Sequence, residues 1–118
     1  MNFETYTITL LLKRDDAPDL SEQEEDALQD AHMAHLADLH EEGHLLAAGP
    51  VLGAPDRELR GFSILNVGLE YALELEQRDP AVKAGRYRIE AYTWMMPASL
   101  MSFSHASLPR SMREARDG

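Results

Sequence analysis

The chain has 118 residues, 44% of them hydrophobic and 27% charged, which is enough for one hydrophobic core and too little for two. Its 21 acidic and 11 basic side chains leave a net charge of −10, so phosphate backbones and anionic membranes are repelled and neither nucleic acid nor membrane is expected as a partner. The absence of cysteine excludes disulfides, zinc–thiolate sites, iron–sulfur clusters and thiol catalysis.

From the N-terminus, Met1–Glu4 lacks the basic-then-apolar pattern of a secretory signal, and no apolar run approaches the roughly 20 residues that span a bilayer. A cytoplasmic location is therefore the expectation. Thr5 to Leu12 alternates, with Tyr6, Ile8, Leu10 and Leu12 on one side and Thr5, Thr7 and Thr9 on the other, which reads as a half-buried strand. Lys13 to Leu20 is a polar loop. Ser21 with Glu24 fits a capping box, in which each side chain bonds the other residue's backbone amide, and Gly43 supplies a left-handed stop. Between these signals Leu28, His32, His35, Leu36 and Leu39 share one face of a long helix. The acidic cluster from Glu22 to Asp26 reads as a solvated helix start that complements the helix dipole.

His44 to Val51 is a mostly apolar strand broken late by Gly49-Pro50, Leu52 to Arg60 a hairpin loop, and Gly61 to Val67 a third strand. Gly68 to Arg78 makes a second helix with apolar contacts from Leu69, Ala72, Leu73 and Leu75, ended by Asp79-Pro80. Asp79 before Pro80 is also a good N-cap and first-turn proline for a short helix over Ala81 to Ala84. Arg86 to Met95 alternates again and closes the pattern as a fourth strand.

The order β-α-β-β-α-β is the ferredoxin-like split arrangement, an α+β fold with a four-stranded antiparallel sheet and both helices on one face. Residues 1–97 form this domain, and residues 98–118 are a C-terminal extension, either mobile or packed on a partner subunit. The uncovered sheet face is expected to hold Leu11, Tyr92 and Trp94. Apolar residues on an open face mark an interface, so a homodimer closing face against face is expected.

Two blocks carry a family resemblance. The first runs from Ala31-His32-Met33-Ala34-His35-Leu36 to Leu39-His40-Glu41-Glu42-Gly43-His44-Leu45-Leu46-Ala47-Ala48-Gly49-Pro50. The second is Leu69-Glu70-Tyr71-Ala72, then Arg78-Asp79-Pro80, then Gly85 and the closing strand. Across residues 5 to 97 the chain resembles the YCII-related (YciI-like) family. That resemblance implies a dimeric α+β barrel related to muconolactone isomerases and dehydrochlorinases. It also implies a His–Asp dyad as active site, which falls here on His32 and Asp79. The chain departs from the family pattern in a second histidine, His35, on the same helical face, in the start of its second helix at Gly68, and in about twenty residues beyond Pro97. The first departure leaves open which histidine acts; the last, whether the tail covers the pocket mouth.

The residue chemistry is compatible with the dyad. Burial in an apolar stripe disfavours a charged imidazole and a neighbouring carboxylate favours it, so such a pair can fix one tautomer and work as general acid or base. The competing reading makes His32 a satisfied core histidine and Asp79 a helix cap. His35 is the candidate substrate-binding residue. Metal binding is not expected: His40 points off the stripe, His44 lies beyond the helix stop, and the remaining pair gives two ligands where a catalytic zinc needs about three. Ser63 and the tail serines lack a nucleophile elbow, which argues against a serine hydrolase. No phosphate loop or dinucleotide fingerprint is present, so no organic cofactor is expected. Two functions follow: a small-molecule enzyme of lyase or isomerase type using the pair, or a non-catalytic small-ligand-binding or dimeric interaction module.

Overall fold

Strand and helix periodicities become eight elements in the computed structural model, which describes residues 1–117. They are β1 (Phe3–Lys13), α1 (Glu22–Glu41), β2 (Leu45–Pro50), β3 (Leu59–Leu65), α2 (Leu69–Gln77), α3 (Pro80–Lys83), β4 (Tyr87–Pro97) and α4 (Met112–Asp117). The sheet order is β2-β3-β1-β4, antiparallel throughout. This is the α+β, ferredoxin-like arrangement expected.

The capping box at the start of α1 is complete. Ser21 accepts from the Glu24 amide, and the Glu24 carboxylate accepts from the Ser21 amide. Gly43 takes φ +85° where the helix ends, a conformation that favours glycine. The chain then turns directly into β2. Leu39, Leu45, Leu65, Ala72 and Leu75 form the centre of the core, joined by Leu36, Ala48, Val67 and Leu108. Burying each large aliphatic side chain stabilises the fold by roughly 1.5–3 kcal/mol.

Both long helices cover the face that carries Thr7, Thr9 and Leu11. The Thr7 hydroxyl donates to the Val67 carbonyl at 2.6 Å and the Thr9 hydroxyl to Glu76 at 3.3 Å, so these threonines are buried yet satisfied. The expectation for Leu11 is corrected here: a period of two puts it with Thr7 and Thr9, under the helices. Ile8 and Leu10 lie on the open face, where Tyr92 pairs with Ile8 and Trp94 with Tyr6. Tyr92 is half exposed.

β3 begins two residues earlier than the sequence predicts and ends two earlier. Gly61 sits within the strand opposite Leu11, where a Cβ would lie 3.3 Å from that of Leu11. At the other end Asn66 donates its amide to the His44 carbonyl, and the Val67 carbonyl is taken by Thr7, so the ladder stops at Leu65.

The C-terminal extension returns over its own chain. Phe103 meets the Tyr6 ring edge-on at 5.7 Å, Leu108 joins the core, and Arg110 pairs with Asp38 at 2.9 Å and Glu41 at 2.8 Å on α1. The Met112 amide donates to Asp30. Acidic residues on the outer side of α1 give this basic tail a surface of opposite charge. Among the described residues no helix is long and apolar enough to cross a membrane.

Candidate active site

Three elements bring His32 and Asp79 together. His32 sits on the inward stripe of α1, and Asp79 lies at the junction of α2 and α3, where the Asp-Pro sequence stops one helix and starts the next. Asp79 is fully buried and both of its oxygens are used. Oδ1 accepts from the Ala81 amide at 2.8 Å, and Oδ2 lies 2.5 Å from His32 Nδ1. The cap thus fixes the carboxylate that in turn fixes the ring. Among the described residues nothing bonds to His32 Nε2.

His32 faces a cavity of about 520 Å³ between α1, the sheet and the C-terminal extension. Its walls are largely apolar, with Leu11, Met33, Leu36 and Ile89 among them, which is the usual make-up of a small-molecule site. Leu108, Pro109, Met112 and Ala115 of the extension also line it, so the tail forms one wall. Tyr87 lies beside the imidazole, ring centres 6.3 Å apart.

Glu76 was not among the residues expected at the site. It is buried on α2, lines the same cavity and accepts a hydrogen bond from Thr9 at Oε1. Burial first, and the Asp79 charge second, push its carboxyl up to about 7. The signal was present: Ala72, Glu76 and Asp79 recur at spacings of four and three, so the buried stripe of the helix runs through a glutamate.

His35 does not reach the cavity. Its Nε2 donates to the Leu75 carbonyl at 3.0 Å and ties α1 to α2. His40 bridges two carbonyl oxygens, Nδ1 2.7 Å from Leu45 and Nε2 2.6 Å from Ala106, which fastens the extension to the turn after α1. Among the described residues no three His, Asp or Glu side chains form a group able to hold a metal.

A sequence model of the YCII-related domain matches residues 7–95. No curated protein matches. Among solved structures the chain is similar to a 5-chloro-2-hydroxyhydroquinone dehydrochlorinase of Burkholderia phenoliruptrix AC1100, in complex with 2,5-dihydroxybenzoquinone. The TM-score is 0.52 at 20% identity, over 78% of this chain and 91% of that one. A protein of Arabidopsis thaliana aligns with TM-score 0.41 at 14% identity, over 84% of this chain and all of that one.

Proposed function

The chain belongs to the YCII-related domain family, and from that premise we propose that it is a small-molecule enzyme of lyase or isomerase type in which His32 moves a proton and Asp79 orients it. The observation that carries this reading is the buried 2.5 Å contact between His32 Nδ1 and Asp79 Oδ2 at the wall of an apolar cavity.

An ionised carboxylate only accepts hydrogen bonds, so Nδ1 must hold a proton beside Asp79. In the neutral ring the lone pair is then on Nε2, the nitrogen without a partner. That lone pair takes a proton from a ring carbon or hydroxyl of the substrate. The C–H or O–H electrons become a new π bond. They either expel a leaving group, as a lyase does, or take the proton back at another carbon, as an isomerase does. Asp79 stabilises the imidazolium so formed.

Charge that develops on a substrate oxygen needs a donor. A neutral carboxylic acid can supply one, and Glu76, held up at about 7, is half protonated near neutrality. Its Oε2 takes no hydrogen bond among the described residues. The dehydrochlorinase neighbour, with a dihydroxybenzoquinone bound, is in keeping with an oxygenated ring as substrate.

We also propose that the open sheet face joins a second copy in a dimeric α+β barrel. Ile8, Leu10, Phe62, Tyr92 and Trp94 lie there, with Phe62 37% and Tyr92 50% exposed in the single chain.

The test of the catalytic reading is His32→Ala assayed on chlorinated hydroquinones and on lactones that the wild type converts. Turnover lost by about 10²-fold or more, with ligand affinity kept, supports the acid–base role. A cavity that binds such rings in the wild type without converting any would make the protein a binding module.

A further inference from the structure

Two arginines sit at the cavity where their charge has no internal use. Arg57, in the loop between β2 and β3, and Arg60, on β3, are both half-buried and both line the cavity. Arg57 donates from Nε to the Val51 carbonyl at 2.9 Å and from Nη1 to the Ala54 carbonyl at 3.2 Å. Arg60 donates from Nε to the Arg57 carbonyl at 3.1 Å. These bonds use both Nε atoms and Nη1 of Arg57, and hold the two guanidinium groups on one short stretch of hairpin. Nη2 of Arg57 and both Nη of Arg60 stay unbonded among the described residues.

The charge balance makes this informative. The chain carries 21 carboxylate side chains, and Arg14, Arg86, Arg88 and Arg110 each pair with at least one. Among the described residues Arg57 and Arg60 pair with none. A half-buried cation gives up part of its hydration, and a partner of opposite charge offsets that cost. A guanidinium fork meets a carboxylate with two parallel hydrogen bonds and a phenolate oxygen with one charge-assisted bond.

We infer that Arg57 and Arg60 form the anion-binding end of the cavity, and that the substrate is a small ring-bearing oxyanion, a carboxylate or phenolate. Its apolar body lies against Leu11, Leu36 and Ile89, and its anionic oxygens lie on the hairpin arginines. The inference rests on the reading of this cavity as a small-molecule site and adds the charge of the ligand to it. An anionic ligand enters against the net charge of −10, so a local positive end is needed to hold it.

The test is equilibrium binding of benzoate and of benzamide, its uncharged counterpart, by calorimetry. Wild type is expected to bind benzoate at least tenfold more tightly than benzamide. The double variant Arg57→Gln with Arg60→Gln is expected to bind the two alike, and Arg60→Lys to retain part of the preference. A purely structural role in the hairpin would lower the melting temperature and leave the ratio of the two affinities unchanged. Should the double variant fail to fold, the single Arg60→Gln, which keeps the Arg57 bonds to the loop, reads the same ratio. Equal affinities in the wild type, no benzoate binding, or an unchanged ratio in the glutamine variants overturns the inference. No chemistry occurs in this measurement, so its failure leaves the acid–base reading standing. A clear charge preference in a protein that converts no ring substrate does the opposite.

Discussion

Asp79 binds His32 with one carboxylate oxygen and the Ala81 amide with the other, so a single buried side chain caps α3 and orients the imidazole. The two roles separate by substitution. Asparagine is a good N-cap and keeps an oxygen for Ala81, so Asp79→Asn is expected to change stability by less than about 1 kcal/mol. Alanine removes the cap and leaves a buried ring nitrogen unpaired, at a cost of about 2–4 kcal/mol. Chemical denaturation checks both values. Turnover should fall in both variants, because neither offers an anion to the imidazolium.

Glu76 gives the fold a pH dependence with a definite sign. Its carboxyl is raised to about 7 in the folded chain, against an ordinary 4.5 when unfolded. Between those values the folded state holds more protons than the unfolded one. Stability therefore falls as pH rises across that window and levels off above it, by up to about 3 kcal/mol. Glu76→Gln is expected to flatten this dependence and to be the more stable protein at pH 8. Denaturation curves from pH 4 to pH 8 decide it; parallel slopes for the two proteins would contradict the account.

The extension is expected to act as a wall of the site. Ending the chain after Ser107 removes Leu108 from the core and Pro109, Met112 and Ala115 from the cavity lining. Stability should drop by about 1–3 kcal/mol, most of it from Leu108. Amide hydrogen exchange in α1 around His32 should quicken. Unchanged exchange there would mean that the tail does not cover the site.

If the open face joins two copies, a charge at its centre should part them. Leu10→Asp or Tyr92→Glu is expected to convert the protein from dimer to monomer in light scattering, with the secondary structure kept. A wild type that is monomeric at micromolar concentration would remove the dimer proposal.

Much of the fold was legible because its signals are local. The alternation of β1, the Ser21–Glu24 box, Gly43 and Asp79-Pro80 each act within a few residues. His32 and Asp79 were nameable through the family resemblance, and their stripe and cap positions were visible in the sequence. Other parts depend on contacts across the chain. The role of Thr7 and Thr9 as the covered side of β1 is invisible to hydropathy, because their polarity is satisfied by Val67 and Glu76, about sixty residues away. His35 shares a helical face with His32, yet one turn along the helix its ring meets Leu75 in place of the cavity. The course of the extension was hidden for the same reason: its anchors, His40, Asp38 and Asp30, lie on α1.

The most direct test of the proposed role of His32 is its tautomer, read from the ring nitrogens by long-range proton–nitrogen NMR at a pH where the ring is neutral. A base at His32 requires the proton on Nδ1, facing Asp79, and a bare Nε2 facing the cavity, the reverse of the preference of a free histidine side chain. Asp79→Ala should return the ring to that free preference. A proton on Nε2 in the wild-type protein would leave no lone pair toward the cavity, and His32 could not be the base.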